Sequence, residues 1–300
     1  MRNKTILYLA AWSLVLAGTA LAAAGGTGTT AGVFLKLHGG VRAAAMGEAF
    51  VAVADDPSAL HWNPAGMGQI KSAEFSSTYS SWFDGASFTS LTLVRPFYLG
   101  HSGGIMFNNL DAGAIEETTL SQPGGTGRTF SPFALTTTLA YCHRLNTVLS
   151  LGFSGKYLRE DIDDSSMRGY AFDLGALFRL SKKLSFGFTV KNIGTFHGID
   201  NALPLSYRAG ISLRPTDALL LAGDLDLPND NRSTFHLGAE YGFNELFCGR
   251  IGYNTRAEDN AGGNLGLGTG IRREGMKFDY AYLPFGDLGD THRISFGLSF

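Results

Sequence analysis

The sequence predicts an all-β protein, a transmembrane antiparallel β-barrel of about 14 strands with an N-terminal segment lying in its lumen as a plug. Three observations predict it. Apolar and polar residues alternate with period two through most of the chain after residue 70, the repeat of a strand with two different faces. Strands defined in this way are even in number and joined by connections that alternate between short and long, as a closed barrel with a periplasmic and an extracellular rim requires. The charged residues of the strands share a face with Gly, Ser, Thr and Ala, whereas the other face is Leu, Phe, Tyr and Ile.

Composition agrees. The 300 residues are 44% hydrophobic and 17% charged with a net charge of -2, which leaves neither a basic surface for nucleic acid nor an acidic tail. Forty glycines and 12% aromatics, without a collagen-like or linker-like period, suit tight turns and small inward-facing residues. Arg2 and Lys4, the apolar run Ile6 to Ala17 and Ala20-Leu21-Ala22 form a secretory signal peptide over 1–22. Beyond it no stretch approaches the roughly 18 consecutive apolar residues of a spanning helix. Strands must do any spanning.

Residues 23–70 come next, and 71–300 form the barrel. Within the first of these, "DDPSALHWNPAGM" (Asp55 to Met67) is compact and rich in turn formers. Asp56 can cap a helix with Pro57 at its first position, Ser58 to His61 complete about one turn, and Pro64 stops it. A periplasmic linker would explain neither Trp62 nor the apolar Ala43, Met46, Phe50 and Val53. Those four recur near helical spacing, while "AFVAVA" would serve equally as a strand, so 41–54 reads as either.

The strands are expected over 73–82, 86–96, 101–109, 132–143, 147–160, 167–180, 183–194, 204–214, 218–227, 232–243, 246–254, 263–273, 275–283 and 290–300, lengths that suit a tilted crossing of the apolar layer. In "YAFDLGALFRL", Tyr170, Phe172, Leu174, Ala176, Phe178 and Leu180 share one face and Asp173 and Arg179 lie on the other. Leu145-Asn146, Ser181-Lys182, Pro215-Thr216-Asp217, Asn244-Glu245 and Glu274 mark short turns; 110–131, 161–166, 195–203, 255–262 and 284–289 are the longer loops. Both chain ends then fall on the periplasmic side. Asp84-Gly85 is short for its side and Phe97 to Gly100 long for the other. Gly103-Gly104 is a place where the third strand could bulge and open a lateral exit.

Which face meets lipid follows from the charges. Lys156, Asp173, Arg179, Lys191, Arg208, Asp224, Glu240, Arg250 and Arg272 share the small-residue face, and turning Arg or Lys to lipid at midplane costs about 2–4 kcal/mol. The bulky face therefore points outward. Phe243, Tyr253, Tyr282 and Phe300 at strand ends suit interfacial girdles. Matching neighbouring strands places Glu240 opposite Arg250 and puts Arg208, Asp224 and His236 on one row, a lumen charge network worth under about 1 kcal/mol per pair if wet.

Enzymatic chemistry is not indicated. Asp224 and His236 have no serine placed beside them for acyl transfer, the seven histidines show no metal-ligand spacing, and "QPGGTGRTF" lacks the Gly-Lys-Ser/Thr of a phosphate loop. No catalytic residue, no metal and no cofactor is expected. Cys142 and Cys248 lie on strands far apart around the barrel, beyond the roughly 7 Å that a disulfide spans.

At "AAMGEAFVAVADDPSALHWNPAGM" the chain resembles the FadL superfamily of outer-membrane barrels, and most closely its PorV/PorQ-type branch. The matching residues are Met46-Gly47, Ala49 to Ala52, Asp55-Asp56, Ala59 and above all Asn63-Pro64-Ala65-Gly66, with Trp62 beside them. The resemblance implies a bacterial outer-membrane location and passive transport of hydrophobic compounds such as long-chain fatty acids past a lumenal plug. For the PorV branch it implies instead a component of a protein secretion system. Outer-membrane lipid, the barrel-assembly machinery, and either a hydrophobic ligand or a secretion protein are the expected partners. The closing "RISFGLSF", with Phe296, Leu298 and Phe300 on one face, is the candidate signal for that machinery.

Overall fold

Period-two alternation closes into a wall in the computed structural model, which describes residues 30–197, 202–256 and 263–300; the expected signal peptide over 1–22 lies outside them. Fourteen antiparallel strands form one closed barrel. They are β1 (Glu74–Ser81), β2 (Ser87–Pro96), β3 (His101–Asp111), β4 (Phe133–Arg144), β5 (Leu149–Ile162), β6 (Ser165–Arg179) and β7 (Leu184–His197) in the first half. The second half holds β8 (Ser206–Leu213), β9 (Leu219–Pro228), β10 (Thr234–Gly242), β11 (Phe247–Asn254), β12 (Leu265–Arg273), β13 (Met276–Pro284) and β14 (Asp290–Ser299). Each strand pairs with the next, and β1 pairs with β14 from Glu74–Ser299 to Ser81–His292. No sheet edge is left in the wall.

The two faces separate as the charge argument requires. Leu237 is 60% exposed and Ile251 52% on the outside, whereas Lys156, Asp173, Asp224 and Arg250 are buried inside. An apolar outside and a polar inside is the inverse of a soluble barrel and the arrangement that lipid selects.

Three expectations need correction. The loop expected over 161–166 is only the Asp163-Asp164 connection, because β5 and β6 continue pairing out to Ile162–Ser165; Asp163 takes φ 52° to make the turn. Gly103 and Gly104 do not bulge: they pair in unbroken register with Arg95 and Val94 on one side and Tyr141 and Ala140 on the other. The register shift lies instead between β6 and β7, where Phe172 pairs with Ile193 but Leu174 with Val190. Asn192 adopts φ 62° there, a left-handed conformation that Asn tolerates better than most residues. The extra residue turns both Lys191 and Asn192 into the lumen. Asn192 N then donates to Asp173 Oδ1 at 2.8 Å, and Lys156 Nζ donates to Asn192 Oδ1 at 2.7 Å.

The third correction concerns the charge row. Arg208 stands opposite Asp226, not Asp224, which is paired with Gly210 on that side and with His236 on the other. Asp226 is two residues beyond Asp224 on the same inward face, so the alternation carries both, and a shift of two residues preserves the face while changing the partner. The long connection after β3 also carries a small ribbon, Ile115–Glu116 paired with Thr129–Phe130.

Candidate functional site

Residues 30–70 occupy the barrel lumen. A 3-10 turn over Val33–Lys36 packs Phe34 and Leu35 against Leu158, Ala171, Phe196 and Leu203 near the loop-bearing end. The chain then descends through helix α1 (Val41–Ala45), a series of turns, helix α2 (Ala59–Trp62) and a second 3-10 segment, Pro64–Gln69. The 41–54 stretch is thus a short helix followed by turns, not a strand. Its apolar residues serve helix and turn alike: Ala43, Met46, Phe50 and Val53 cluster with Trp62, Leu220 and Ala222.

The wall receives this segment at glycines. A Cβ at Gly252 would lie 1.9 Å from Gly47 N, at Gly152 2.2 Å from Ala65 N, at Gly187 2.3 Å from Val51 O and at Gly266 2.4 Å from Ala44 O. Backbone packs directly on backbone. Only glycine permits that approach, which accounts for inward glycines spread over strands from β3 to β12.

The Asn63-Pro64-Ala65-Gly66 motif is the clearest joint. Pro64 forces Asn63 into an extended conformation, φ -159° and ψ 103°, as a residue before proline prefers. The Asn63 amide then donates to Val51 O at 2.9 Å and Ala176 O at 3.1 Å, and its Oδ1 accepts from Ala65 N at 3.1 Å. One side chain ties two parts of the segment to β6. Gly66 is required because Ala54 O would lie 2.2 Å from a Cβ there. Asp56 Oδ1 accepts from Ser58 N at 2.9 Å and Ser58 Oγ at 2.6 Å, opening the turn into α2. Trp62 is buried edge-on against Phe50 and His38, with Lys191 and Arg208 over its ring at 5.6 and 5.2 Å.

Ion pairs fasten the segment from both ends. Arg42 bonds Glu240 at 2.6 Å and Asp55 at 2.5 Å, and Asp55 also bonds Arg214 at 2.9 Å. Against the cost of burial, Asp55 and Glu240 hold the Arg42 guanidinium well above its ordinary range. Glu240 also accepts from Arg250 at 2.6 Å, and Arg250 reaches Asp279 at 2.6 Å. Toward the loops, Glu48 pairs with Arg256 and with His38 Nε2 at 3.0 Å. Although burial opposes it, Arg256 and His38 keep the Glu48 carboxyl well below the usual carboxylate range. Burial pushes His38 down to about 4 despite Glu48, and burial with Lys191 pushes His61 well below its ordinary value.

The expected lumen residues therefore divide. Glu240 and Arg250 belong with Arg42 near the short-turn end; Arg208 belongs with Asp226 at 2.7 Å near the loops. Asp224 caps the segment, its Oδ2 accepting from Phe50 N at 2.8 Å and Val51 N at 2.9 Å. His236 is bonded to Gly47 O at 2.8 Å rather than to Asp224. These pairs are buried, so the small value expected of a wet lumen does not apply; removing one partner costs about 3–5 kcal/mol. Sequence reasoning missed Arg42, Glu48, Asp226 and Asp279. Inward alternation could have found the two aspartates, but nothing local marks Arg42 or Glu48. Phe296, Leu298 and Phe300 all face outward, with Phe300 68% exposed. Cys142 and Cys248 are buried free thiols.

Cavities remain between the segment and the wall. One of about 260 Å³ borders Arg42, Asp56, Ser76, Lys277 and Ser295 toward the short-turn end. Another of about 310 Å³ borders His38, Trp82, Phe83, Leu283, Phe285 and Arg293 at the loop end. No family model matches this sequence, and no curated protein matches it. Its fold is similar to that of the Ralstonia pickettii toluene transporter TbuX, at 16% identity and TM-score 0.63 over 86% of this chain and 97% of that one. It is similar also to the Pseudomonas putida toluene transporter TodX, at 12% identity and TM-score 0.62 over 87% and 96% of the two chains. A Pseudomonas aeruginosa FadL homologue matches at 14% identity and TM-score 0.59 over 84% and 96%. The closed wall of fourteen strands thus has the same fold as these two transporters and the FadL homologue.

Proposed function

We propose that the protein moves hydrophobic small molecules, long-chain fatty acids or aromatic hydrocarbons, passively across the bacterial outer membrane after its signal peptide is cleaved. The carrying observation is a lumen filled by residues 30–70, with an aromatic-lined cavity of about 310 Å³ at the loop end and a polar one of about 260 Å³ toward the short-turn end. Likeness in fold to proteins named as toluene transporters supports the same reading. Residues 30–70 act as a plug that blocks free diffusion, and a local shift of the plug releases the solute.

The test is uptake of toluene and of oleate by cells with an intact lipopolysaccharide leaflet, with and without the barrel. Faster uptake of both, with no change for a sugar of similar size to toluene, is expected. Equal acceleration of the sugar, or none for either hydrophobic solute, would overturn the proposal. The tight seating of the plug on wall glycines favours one second reading, a PorV/PorQ-like scaffold of a protein secretion system in which the barrel only anchors an interaction surface. Stoichiometric copurification of a protein partner, with no lipid-like ligand in mass spectra of the detergent extract, would select it. In either role Phe296, Leu298 and Phe300 present the signal read by the barrel-assembly machinery.

A further inference from the structure

Arg293 is a buried cation that makes no ion pair among the described residues. It is 3% exposed on the inward face of β14, and its Nε and Nη1 have no hydrogen-bond partner. Every other buried arginine described above has a carboxylate. Its contact is instead aromatic, the guanidinium lying 5.1 Å from the centre of the Trp82 ring. The neighbouring carboxylate, Glu48, is engaged by His38 and Arg256. Leaving a guanidinium buried and unpaired is costly, and here it borders a cavity rather than packed side chains.

The rest of that cavity has a definite chemistry. Trp82, Phe83 and Phe285 form a three-ring cluster with centroids 5.1 to 5.8 Å apart, and Leu283 adds an aliphatic wall. A second unpartnered donor is present, Trp82 Nε1. His38 Nε2 faces the Glu48 carboxylate, which can only accept, so Nε2 carries the proton and Nδ1 is left as an acceptor. Two donors set beside a cluster of aromatic faces fit a flat apolar body bearing an anion.

We infer that this cavity is a binding site for a compact aromatic carboxylate, with Arg293 as the charge partner of the carboxylate and Trp82, Phe83 and Phe285 holding the ring. A guanidinium recognises a carboxylate through charge-assisted and often paired hydrogen bonds. The inference rests on the transport reading for its meaning, since the site would select the solute at the mouth of the barrel, but the two can fail separately.

The experiment is equilibrium titration of the full, detergent-solubilised barrel with benzoate, with its uncharged isostere methyl benzoate, and with octanoate. Benzoate is expected to bind at least tenfold more tightly than either. In Arg293→Met the benzoate advantage over methyl benzoate should vanish; Arg293→Lys should keep part of it. The comparison of benzoate with methyl benzoate in the unaltered protein needs no variant and so survives a variant that fails to fold. Equal affinities for that pair, or benzoate binding untouched by Arg293→Met, overturn the charge assignment; tighter binding of octanoate overturns the aromatic one. A barrel that speeds toluene uptake without preferring benzoate loses this inference and keeps the transport reading. One that prefers benzoate but moves no solute does the reverse.

Discussion

The two sides of the barrel's inner wall are built differently. From β5 to β12, inward glycines such as Gly152, Gly187, Gly252 and Gly266 admit the backbone of residues 30–70 to contact distance. Across β14, β1 and β2 the inward residues are mostly hydroxyl-bearing, among them Thr291, Ser295, Ser76, Thr78, Ser80, Ser90 and Thr92, together with Arg293, Gly297, Glu74, Phe88 and Val94, and the cavities of about 260 and 310 Å³ lie beside β13, β14 and β1. The first side is a docking face. The second borders these two cavities, while another of about 160 Å³, bounded by Lys191, Arg208 and Asp226, lies on the first side. The difference teaches that the lumenal segment is held asymmetrically, most closely against the glycine-bearing strands.

The largest effect should come from spoiling the docking face. Gly252→Val places a side chain where Gly47 N already lies 1.9 Å from the Cβ position, and backbone cannot yield as a flexible side chain can. The segment should be unseated and single-channel conductance in planar bilayers should rise at least tenfold. Gly223→Val is the control, because its Cβ would meet nothing nearer than 3.5 Å. Equal conductance in the two variants would break the comparison.

A smaller effect is expected at the motif that joins segment and wall. Asn63→Asp keeps the shape but turns the amide that donates to Val51 O and Ala176 O into an acceptor. Each orphaned carbonyl costs about 1–3 kcal/mol, so seating should weaken by about 4 kcal/mol before any charge burial is counted. Acrylamide quenching of Trp62, read in the mature protein with Trp82 replaced by Phe, measures it. Unchanged quenching would mean that Asn63 does not fasten the segment.

Acid should act on the same seat. His38 faces Glu48, His61, Arg256 and Arg293, and burial sets it to about 4 when seated, against about 6.5 when released into water. The released state therefore binds more protons between these values. Seating from this residue is complete above about pH 6.5 and declines as pH falls toward 4, by on the order of 3 kcal/mol. Trp62 quenching should rise over that window, and His38→Gln should flatten the rise. A profile that His38→Gln leaves unchanged would assign the acid response elsewhere.

How much of this was legible in the sequence depends on the range of the interaction that decides it. The strands were legible because lipid outside and polar groups inside act on each residue separately, and Tyr170, Phe172 and Leu174 declare their face without reference to a partner. The Arg208 partner was not, because a slip of two residues keeps the face and exchanges Asp226 for Asp224. The bulge at Asn192 was hidden for a related reason: it serves Asp173 and Lys156 on neighbouring strands, and its own segment reads as plain alternation. Within the site, Asn63 to Gly66 was visible as a motif, yet its purpose lies in Ala176 O and Ala54 O, which no local pattern connects to it. The abundance of glycine was the one signal of the docking face, and it said that close contacts exist without saying with what.

The smallest expected effect tests the other side of the comparison. Thr291 on β14 and Ser80 on β1 are both fully buried, and neither hydroxyl has a hydrogen-bond partner. A hydroxyl buried without a partner destabilises, and its replacement by a methyl of similar shape removes that cost. If β14 and β1 merely complete the wall, Thr291→Val should leave unfolding in urea unchanged or stabilise the barrel by up to about 1 kcal/mol, with conductance unaltered. If those hydroxyls instead line a route that polar groups use, the same substitution should slow solute passage without loosening the fold. Stability and flux are thus read on one variant, and flux that falls while stability holds would place the path on β14 and β1.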